Sequence, residues 1–572
     1  MKFTLTKVGL IILVLVTNFI FYRSSLATAF NSFRGKNLVS EVKMGKLWGN
    51  FDKLRTDAIE FSGWSEQDNI DLSLEPQTKG IAVYKLTKPA NARVTVLQLG
   101  LAKPATGGNR ISISTDQLNW QTVRENQYLH LVPLELTSLI DGHEQFWVKI
   151  EANNDAVSGA LANVLYDFYL MFYDHQFIFP NLLLILTTIF VPLLVIIRPG
   201  RDKMIQAILL FSVLASGLYL SWHKLFLNRY HSFDSDVICL TQEVPRFLSL
   251  NLKSALLGNY CGNKESLNPL IIIASWKIFG TGSEMAIRFS SWIFHVLTII
   301  LVFLYGKKIR SFTTGLIAAL FIGLHPYLIE LSTRGLRDSV FTFIITLFVY
   351  LLWETNLKKL AKKIAIFLTS IASIYLRLHS LVQLIGLTLV FVIAKRNIKH
   401  GFSLILMLLL IAWPLIATNL KTYQTWNYSE EMHLKWNANV EFAGQPGFPS
   451  KESMTLNPFQ GPPISAFTYF FKLHSLPDLV ISTVSGTIKT FQSLYFKDNP
   501  IGYLLFFLGA WLLFFNRRLR YVLLMVFVLE LPHFFLAAKN LVEFRSMTQS
   551  LPFIGLTIGY IIDRIWKKLK HF

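Results

Sequence analysis

The sequence predicts a multipass α-helical membrane protein of about 12 transmembrane helices, with an extracytoplasmic β-sandwich inserted near its N-terminus. Of its 572 residues, 52% are hydrophobic, only 16% are charged and 47 are Phe. This composition excludes an ordinary water-soluble domain. Long apolar runs recur along the chain with short basic clusters between them, and one long segment near the N-terminus lacks such runs.

The apolar runs give the predicted spans. A helix needs roughly 20 apolar residues to cross a hydrocarbon core of about 30 Å, and somewhat shorter runs suffice where the ends are polar. The predicted spans are residues 8–22, 177–197, 204–226, 287–306, 312–331, 340–353, 364–378, 381–394, 402–418, 501–516, 521–537 and 551–565.

Basic clusters predict the orientation of these helices. Lys and Arg gather in every second connection, as they do in cytoplasmic loops. The clusters lie at residues 198–203, 307–310, 358–363, 395–399, 517–520 and 564–570. The long connections 227–286 and 419–500 are therefore predicted to be external, and both termini cytoplasmic, in a protein of the cell membrane. The net charge of +20 then belongs to loops and indicates no nucleic-acid partner.

Residues 1–30 admit two interpretations. Lys2 and Lys7, a short apolar core and the small residues 27–29 are typical of a cleavable signal peptide. Arg23, between the core and that cleavage site, favours a retained membrane anchor. Under either interpretation the segment that follows is exported.

Residues 31–174 predict the β-sandwich. Short alternating stretches at 93–99, 110–114 and 145–150 replace the long apolar runs. The pieces GNRISISTDQLNW and FWVKIEANN resemble strands of the galactose-binding-like jelly-roll family. Trp120 is either a platform for stacking a sugar or, as we expect, an aromatic side chain that fills the sandwich core.

The first long external connection, 227–286, holds the strongest catalytic candidates. Asp234 and Asp236 directly follow a predicted span, and a carboxylate there can act as a general base on a lipid-linked substrate. The same pair could hold a divalent cation, Mg or Mn, through oxygen ligands. The alternative is a solvated loop or a helix cap. The apolar residues 269–279 are too short for a confident span and predict a helix lying at the interface.

The only two cysteines, Cys239 and Cys261, both lie in this connection. A disulfide between them would close a loop of about 23 residues and contribute about 3 kcal/mol. An external compartment permits this bond, and two unpaired cysteines are equally ordinary.

The order of motifs from about residue 218 to 353 resembles the GT-C class of glycosyltransferases, in the branch of protein O-mannosyltransferases and aminoarabinose transferases. The motifs are Asp234 and Asp236, Asn268-Pro269-Leu270, Phe279-Gly280, Ala286-Ile287-Arg288, and Arg337-Asp338 after His325-Pro326. That branch usually has adjacent Asp-Glu where this chain has Asp-Ser-Asp, so the identity of the base stays open. The stretch LVEFRSMTQSLPFIG resembles the family's last external segment and carries Arg545.

The resemblance implies a hexosyl- or pentosyltransferase that moves a sugar from a polyprenyl-phosphate donor to a glycan, lipid or protein acceptor on the external face. It implies an Asp base, inverting displacement, and substrate contacts from Arg288, Arg337, Asp338 and Arg545. Metal dependence stays open, because the class contains both metal-dependent and metal-independent branches. Arg337 and Asp338 also admit a structural interpretation, in which Asp338 caps a helix and Arg337 reaches a lipid headgroup.

A transporter or flippase of lipid-linked sugars is the alternative function. It would predict charged residues deep within spans and repeated halves. Only Glu530 and His533, around Pro532, fit this description, and we expect them to face a cavity or a partner. The second long connection, 419–500, is rich in aromatic, Pro and Gly residues and could cover the active site.

Overall fold

A computed structural model gives the fold of the described residues. These are residues 38–45, 52–67, 71–75, 77–101, 107–126, 129–155, 162–173, 215, 217–222, 224–225, 244, 246–257, 267–279, 284–335, 337–353, 359–450, 459–495, 517–541 and 544–569. Outside them lie Asp234, Asp236, Cys239, Cys261 and the predicted spans 8–22, 177–197 and 501–516.

The N-terminal part forms two antiparallel sheets. The strands are β1 Leu38–Gly45, β2 Ala58–Ser62, β3 Ser65–Gln67, β4 Asp71–Leu74, β5 Thr78–Thr87, β6 Val94–Leu101, β7 Gly107–Ser114, β8 Gln121–Glu125, β9 Leu129–Glu135, β10 Gln145–Asn154 and β11 Ala162–Tyr173. One sheet has the order β3-β4-β11-β6-β9, with β1 also paired to β11, and the other has the order β2-β5-β10-β7-β8. The strands predicted at 93–99, 110–114 and 145–150 correspond to β6, β7 and β10.

Alternating side chains form the core between the sheets. In β10 every second residue is buried, including Phe146, Val148 and Ile150, because successive side chains of a strand point to opposite faces. Phe146 meets Phe172 of the other sheet at 6.4 Å between ring centroids. A β-sandwich near the N-terminus is therefore confirmed, while its limits at 31 and 174 stay a prediction.

Trp120 lies outside this core. Its side chain is half-buried, the Lys149 ammonium lies 4.6 Å from its ring centroid, and its Nε1 donates to the Gln117 carbonyl oxygen at 3.0 Å. The interpretation of Trp120 as a core-filling side chain is wrong, because the ring stacks under a lysine at the sheet surface.

The second part of the chain is helical. Its helices are α1 Leu252–Leu257, α2 Leu267–Phe279, α3 Glu284–Ile309, α4 Phe312–Leu324, α5 Pro326–Thr333, α6 Asp338–Trp353, α7 Lys359–Leu376, α8 Ser380–Lys395, α9 Ile398–Tyr423, α10 Tyr428–Glu441, α11 Leu476–Thr490, α12 Arg517–Ala538 and α13 Leu551–Leu569. Shorter turns lie at Lys53–Thr56, Thr137–Leu139, Thr468–Lys472, Phe491–Tyr495 and Phe544–Ser550.

Three stretches of the described helices are long and apolar enough to cross a bilayer: Ile287–Ile309, Ile398–Tyr423 and Arg520–Ala538. A fourth span results if Phe312–Leu324 and Pro326–Thr333, bent by 58°, are counted together. The multipass helical character is therefore observed, and the count of about 12 helices stays a prediction.

Small residues let the helices of the bundle approach closely. A Cβ on Gly315 of α4 would lie 2.4 Å from the Phe303 carbonyl oxygen of α3. A Cβ on Gly559 of α13 would lie 2.4 Å from the Thr314 carbonyl oxygen of α4. Membrane helices pack in this way because backbone contact supplies the van der Waals energy that the hydrophobic effect does not supply in lipid.

The bundle has two chemically different ends. At one of them Arg310, after α3, binds Asp563 of α13 at 2.6 Å, and Lys395 of α8 lies 5.7 Å from the Trp353 ring centroid of α6. We call this the basic end. At the opposite, polar end lie the start of α6, the link between α7 and α8, α10, and the last turns of α12. The described connections that are predicted to be internal thus lie at one end of the bundle, and those predicted to be external lie at the other.

The stretch predicted as the external connection 419–500 contains α10 and α11 among its described residues. A Cβ on Gly486 of α11 would lie 1.7 Å from the Phe534 carbonyl oxygen of α12, so the two helices are in backbone contact. The outer face of α11 exposes apolar side chains at i, i+4 spacing: Leu476, Val480, Val484 and Ile488. This pattern is typical of a helix lying at a membrane surface.

The sandwich packs directly on the helices. Trp222 and Trp292 meet at 5.0 Å between ring centroids, and Trp292 Nε1 donates to Ser221 Oγ at 2.9 Å. Four side chains from the outer face of the β11 sheet complete this apolar cluster: Val94, Val96, Tyr169 and Met171. Apolar contact therefore fixes the sandwich against the bundle.

Candidate active site

A buried ion pair forms the centre of the polar end. Asp338 is the first residue of α6 and Arg377 follows α7, and their side chains are only 2% and 6% exposed. Arg377 donates from Nη2 to Asp338 Oδ1, and its guanidinium lies 4.9 Å from the Phe341 ring centroid. A carboxylate at a helix N-terminus is stabilised by the helix dipole. The guanidinium is therefore held between a carboxylate and an aromatic face.

His379 and Glu430 extend this centre. The His379 Nδ1 lies 3.7 Å from Glu430 Oε2 in the first turn of α10, and its ring centroid lies 6.1 Å from that of Phe341. Burial, followed by repulsion from Arg377 and other cations, lowers the pKa of His379 well below its usual value. The imidazole is therefore neutral at neutral pH.

Glu530 and His533 of α12 form a second buried pair beside this centre. His533 Nδ1 lies 3.0 Å from Glu530 Oε2, and the exposed fractions of the two side chains are 17% and 0% respectively. Gln383 of α8 donates to the Leu529 carbonyl oxygen of α12 at 3.2 Å, next to the kink expected at Pro532. The partner expected for Glu530 is thus His533, and the partner expected for His533 is Glu530.

The remaining predicted site residues lie on elements that meet at the same end. Arg288 is 2% exposed and donates to the Thr333 carbonyl oxygen at 2.8 Å, which ties the start of α3 to the end of α5. Arg337 immediately precedes α6 and is half-buried. Arg545 lies in the turn Phe544–Ser550, which joins α6 through the Thr342–Thr548 hydroxyl contact at 3.1 Å.

The sequence analysis missed Arg377, His379 and Glu430. Arg377 lay inside the predicted span 364–378, and a charge within an apolar run is a signal of function that could have identified it. Glu430 offered no such signal, because only the packing of α10 brings it to His379.

A second polar cluster joins α10, α11 and α12 further out. Glu441 lies 3.1 Å from His474 Nε2 and 3.0 Å from Lys539, and it accepts from the Tyr469 hydroxyl at 2.9 Å. Lys539 also lies 3.2 Å from Asp478.

The pKa values of Glu441 and His474 move apart. Burial alone would raise the pKa of Glu441, but hydrogen bonds from His474, Lys539 and Tyr469 outweigh it, and the pKa is lowered. Burial alone would lower the pKa of His474, but its bonds to Glu441 and to the Tyr469 carbonyl oxygen raise it. Both shifts favour the charged forms of the two groups, and this cluster ties the segment between α10 and α11 to α12.

An apolar groove of about 790 Å³ opens between α2, α7 and α9. Its walls include Leu267, Phe367, Tyr375, Met407 and Pro414. Tyr375 comes two residues before Arg377, so the groove reaches the polar end of the bundle. An extended apolar chain of a lipid fits such a surface.

Within the described residues, no group of three or more His, Cys, Asp and Glu side chains could hold a metal ion. The acidic pair predicted as a possible metal ligand lies outside them. The residues that are described therefore assign no metal to the polar end.

The apolar helices and the charged centre buried at one end of the bundle are the features of a multipass membrane protein. Residues 245–393, about a quarter of the chain, match the model of the family described as dolichyl-phosphate-mannose-protein mannosyltransferase. The predicted resemblance to GT-C glycosyltransferases is confirmed by this match, which shows that the segment is similar to the mannosyltransferase family. The match gives no support to a transporter or flippase. A search of curated proteins finds no match.

Proposed function

We propose that the protein is an inverting glycosyltransferase that takes a sugar from a polyprenyl-phosphate donor and transfers it to an acceptor hydroxyl on the external face of the membrane. The observation that carries this proposal is the position of the family match. The matched segment 245–393 contains Arg288, Asp338, Arg377 and His379, the residues that build the buried polar centre.

The reaction needs one base and a stabilised leaving group. Asp234 or Asp236 removes the proton of the acceptor hydroxyl while the oxygen of that hydroxyl attacks the anomeric carbon. The bond from that carbon to the phosphate oxygen breaks on the opposite side, and its electron pair stays on the departing polyprenyl phosphate. A general base contributes roughly 10²- to 10⁴-fold in rate. A single displacement of this kind inverts the anomeric configuration.

Arginine side chains bind the phosphate. Arg337 and Arg545 carry planar donors that match phosphate oxygens in a fork geometry. Arg288, buried against the Thr333 carbonyl oxygen, adds its positive charge beside them. Asp338 acts through Arg377, whose guanidinium it holds in place against Phe341. These cations gather at the polar end, where charge develops on the leaving phosphate.

The apolar groove accommodates the polyprenyl tail. Its α9 wall, from Ser403 to Pro414, is roughly 16 Å long at 1.5 Å per residue. A tail lying there places its phosphate near Arg377. The polar end is external in this proposal, because the basic clusters at the opposite end favour the cytoplasm.

The test is a transfer assay in proteoliposomes. The family description makes a polyprenyl-phosphate mannose the first donor to test. Asp234→Asn and Asp236→Asn are compared with wild type and with Asp52→Asn, an exposed acidic residue of the sandwich. Loss of transfer in one of the first two, with Asp52→Asn at wild-type rate, identifies the base. Wild-type turnover in both would reject this mechanism. Adding EDTA to the same assay tests whether Mg or Mn held by the acidic pair takes part.

A further inference from the structure

A carboxylate enclosed in an apolar helix needs a compensating group. Glu530 is 0% exposed and lies within the apolar stretch Arg520–Ala538. Such a residue is costly in a membrane and marks a functional site unless its environment offsets the cost. It also lies outside the segment that matches the family model, so the match assigns it no role.

The pair of Glu530 and His533 is asymmetric. His533 keeps 17% of its side chain exposed, yet its Nδ1 is buried and faces Glu530 Oε2 at 3.0 Å. The exposed part of the ring is therefore the edge away from the carboxylate, which carries Nε2. Glu530 fixes the orientation of the imidazole, and the imidazole presents one ring nitrogen outward.

His533 lies beside the polar centre, because Gln383, one turn after His379, donates to the Leu529 carbonyl oxygen, one turn before His533. The charged groups that act electrostatically on His533 besides Glu530 are Arg377, from the link after α7, and Glu430 of α10. His379 is also within electrostatic reach, and Ser550 contacts Glu530 from the turn before α13. His533 is thus placed next to Arg377 and His379.

We propose that His533, oriented by Glu530, binds the phosphate group of the lipid donor by donating a hydrogen bond from Nε2. The inference rests on the proposed function, since it names the contact of the same site with the phosphate. A carboxylate at 3.0 Å stabilises the imidazolium, and an imidazolium donates from both nitrogens. The ion pair carries no net charge, so an arriving phosphate group meets a hydrogen-bond donor without a second unpaired cation in the membrane.

The test is a titration of polyprenyl phosphate into the full-length protein in nanodiscs, with polyprenol, which lacks the phosphate, as the matched ligand. A hydrogen bond to a charged group predicts that His533→Phe loses about 10- to 100-fold in affinity for polyprenyl phosphate. Its affinity for polyprenol stays at the wild-type value. His533→Gln, which keeps an amide donor, retains most of the affinity and serves if the Phe variant does not fold.

Glu530→Gln gives a second readout, because it removes the carboxylate that faces the imidazole. Its affinity for polyprenyl phosphate is expected to fall, while its affinity for polyprenol stays at the wild-type value. Equal losses for polyprenol and polyprenyl phosphate would overturn the inference in favour of a structural role, as would wild-type phosphate affinity in His533→Phe. If the wild type transfers sugar while His533→Phe binds normally, only this inference fails. If the wild type neither binds polyprenyl phosphate nor transfers sugar, the proposed function fails with it.

Discussion

Replacing Asp338 by Asn leaves the buried Arg377 without its countercharge. The two side chains are 2% and 6% exposed, so solvent screens their attraction little. Removing one partner of a buried ion pair costs about 3–5 kcal/mol, because the remaining charge stays desolvated. The cation–π contact with Phe341 remains in the variant and offsets only a small part of this cost. We expect Asp338→Asn to lower the free energy of unfolding by an amount within that range.

The assay is denaturant unfolding in detergent micelles with a matched control. Arg334→Gln removes one partner of the exposed Arg334–Glu330 pair, whose side chains are 47% and 29% exposed, and is expected to cost at most about 1 kcal/mol. Adding Arg377→Met to Asp338→Asn should recover part of the lost stability, since the unpaired cation is removed. An Asp338→Asn cost no larger than that of Arg334→Gln would refute the reasoning.

Three further predictions concern other elements. The charge on His474 stabilises the segment between α10 and α11 below about pH 6.5, and this stabilisation is lost as pH rises through the raised pKa of His474 in the folded state. The charge on Glu441 stabilises the same segment above about pH 4.5, and this stabilisation is lost as pH falls through the lowered pKa of Glu441 in the folded state. Limited proteolysis at stepped pH should show this window, and His474→Gln should abolish its alkaline limb. Gly486→Ala places a Cβ 1.7 Å from a carbonyl oxygen of α12 and should cost about 1–3 kcal/mol or more in thermal unfolding, whereas the exposed Ser485→Ala should leave stability unchanged. Met171→Glu buries a charge between sandwich and bundle and should increase proteolysis of the sandwich relative to wild type. Unchanged cleavage would contradict the docking.

The fold class followed from local pattern. Alternation of apolar and polar residues at 93–99, 110–114 and 145–150 identified three strands, because every second side chain of a half-buried strand is buried and therefore apolar. Apolar runs identified most helices, because a helix that crosses a hydrocarbon core is apolar along most of its length. The backbone contact of α11 with α12 could not be predicted, because no local pattern tells which glycine faces which carbonyl group.

The candidate site was predictable only in part. Arg337 and Asp338 were found by resemblance to a motif, whereas Arg377 was hidden by its position inside a predicted span. The contact between His379 and Glu430 joins residues 51 positions apart, and such contacts depend on how helices pack. Trp120 was assigned to the core, because the sequence next to a strand does not show whether an aromatic side chain packs inward or lies under a lysine at the surface.

The most direct test of the central claim is the fate of the donor. Wild-type protein in proteoliposomes is given two donors with the same labelled sugar, one in which a single phosphate joins the sugar to polyprenol and one in which a diphosphate does. We predict that transfer occurs from the first donor only, that one polyprenyl phosphate appears for each sugar transferred, and that the anomeric configuration is inverted. Transfer from the diphosphate donor alone, or retained configuration, would contradict the account.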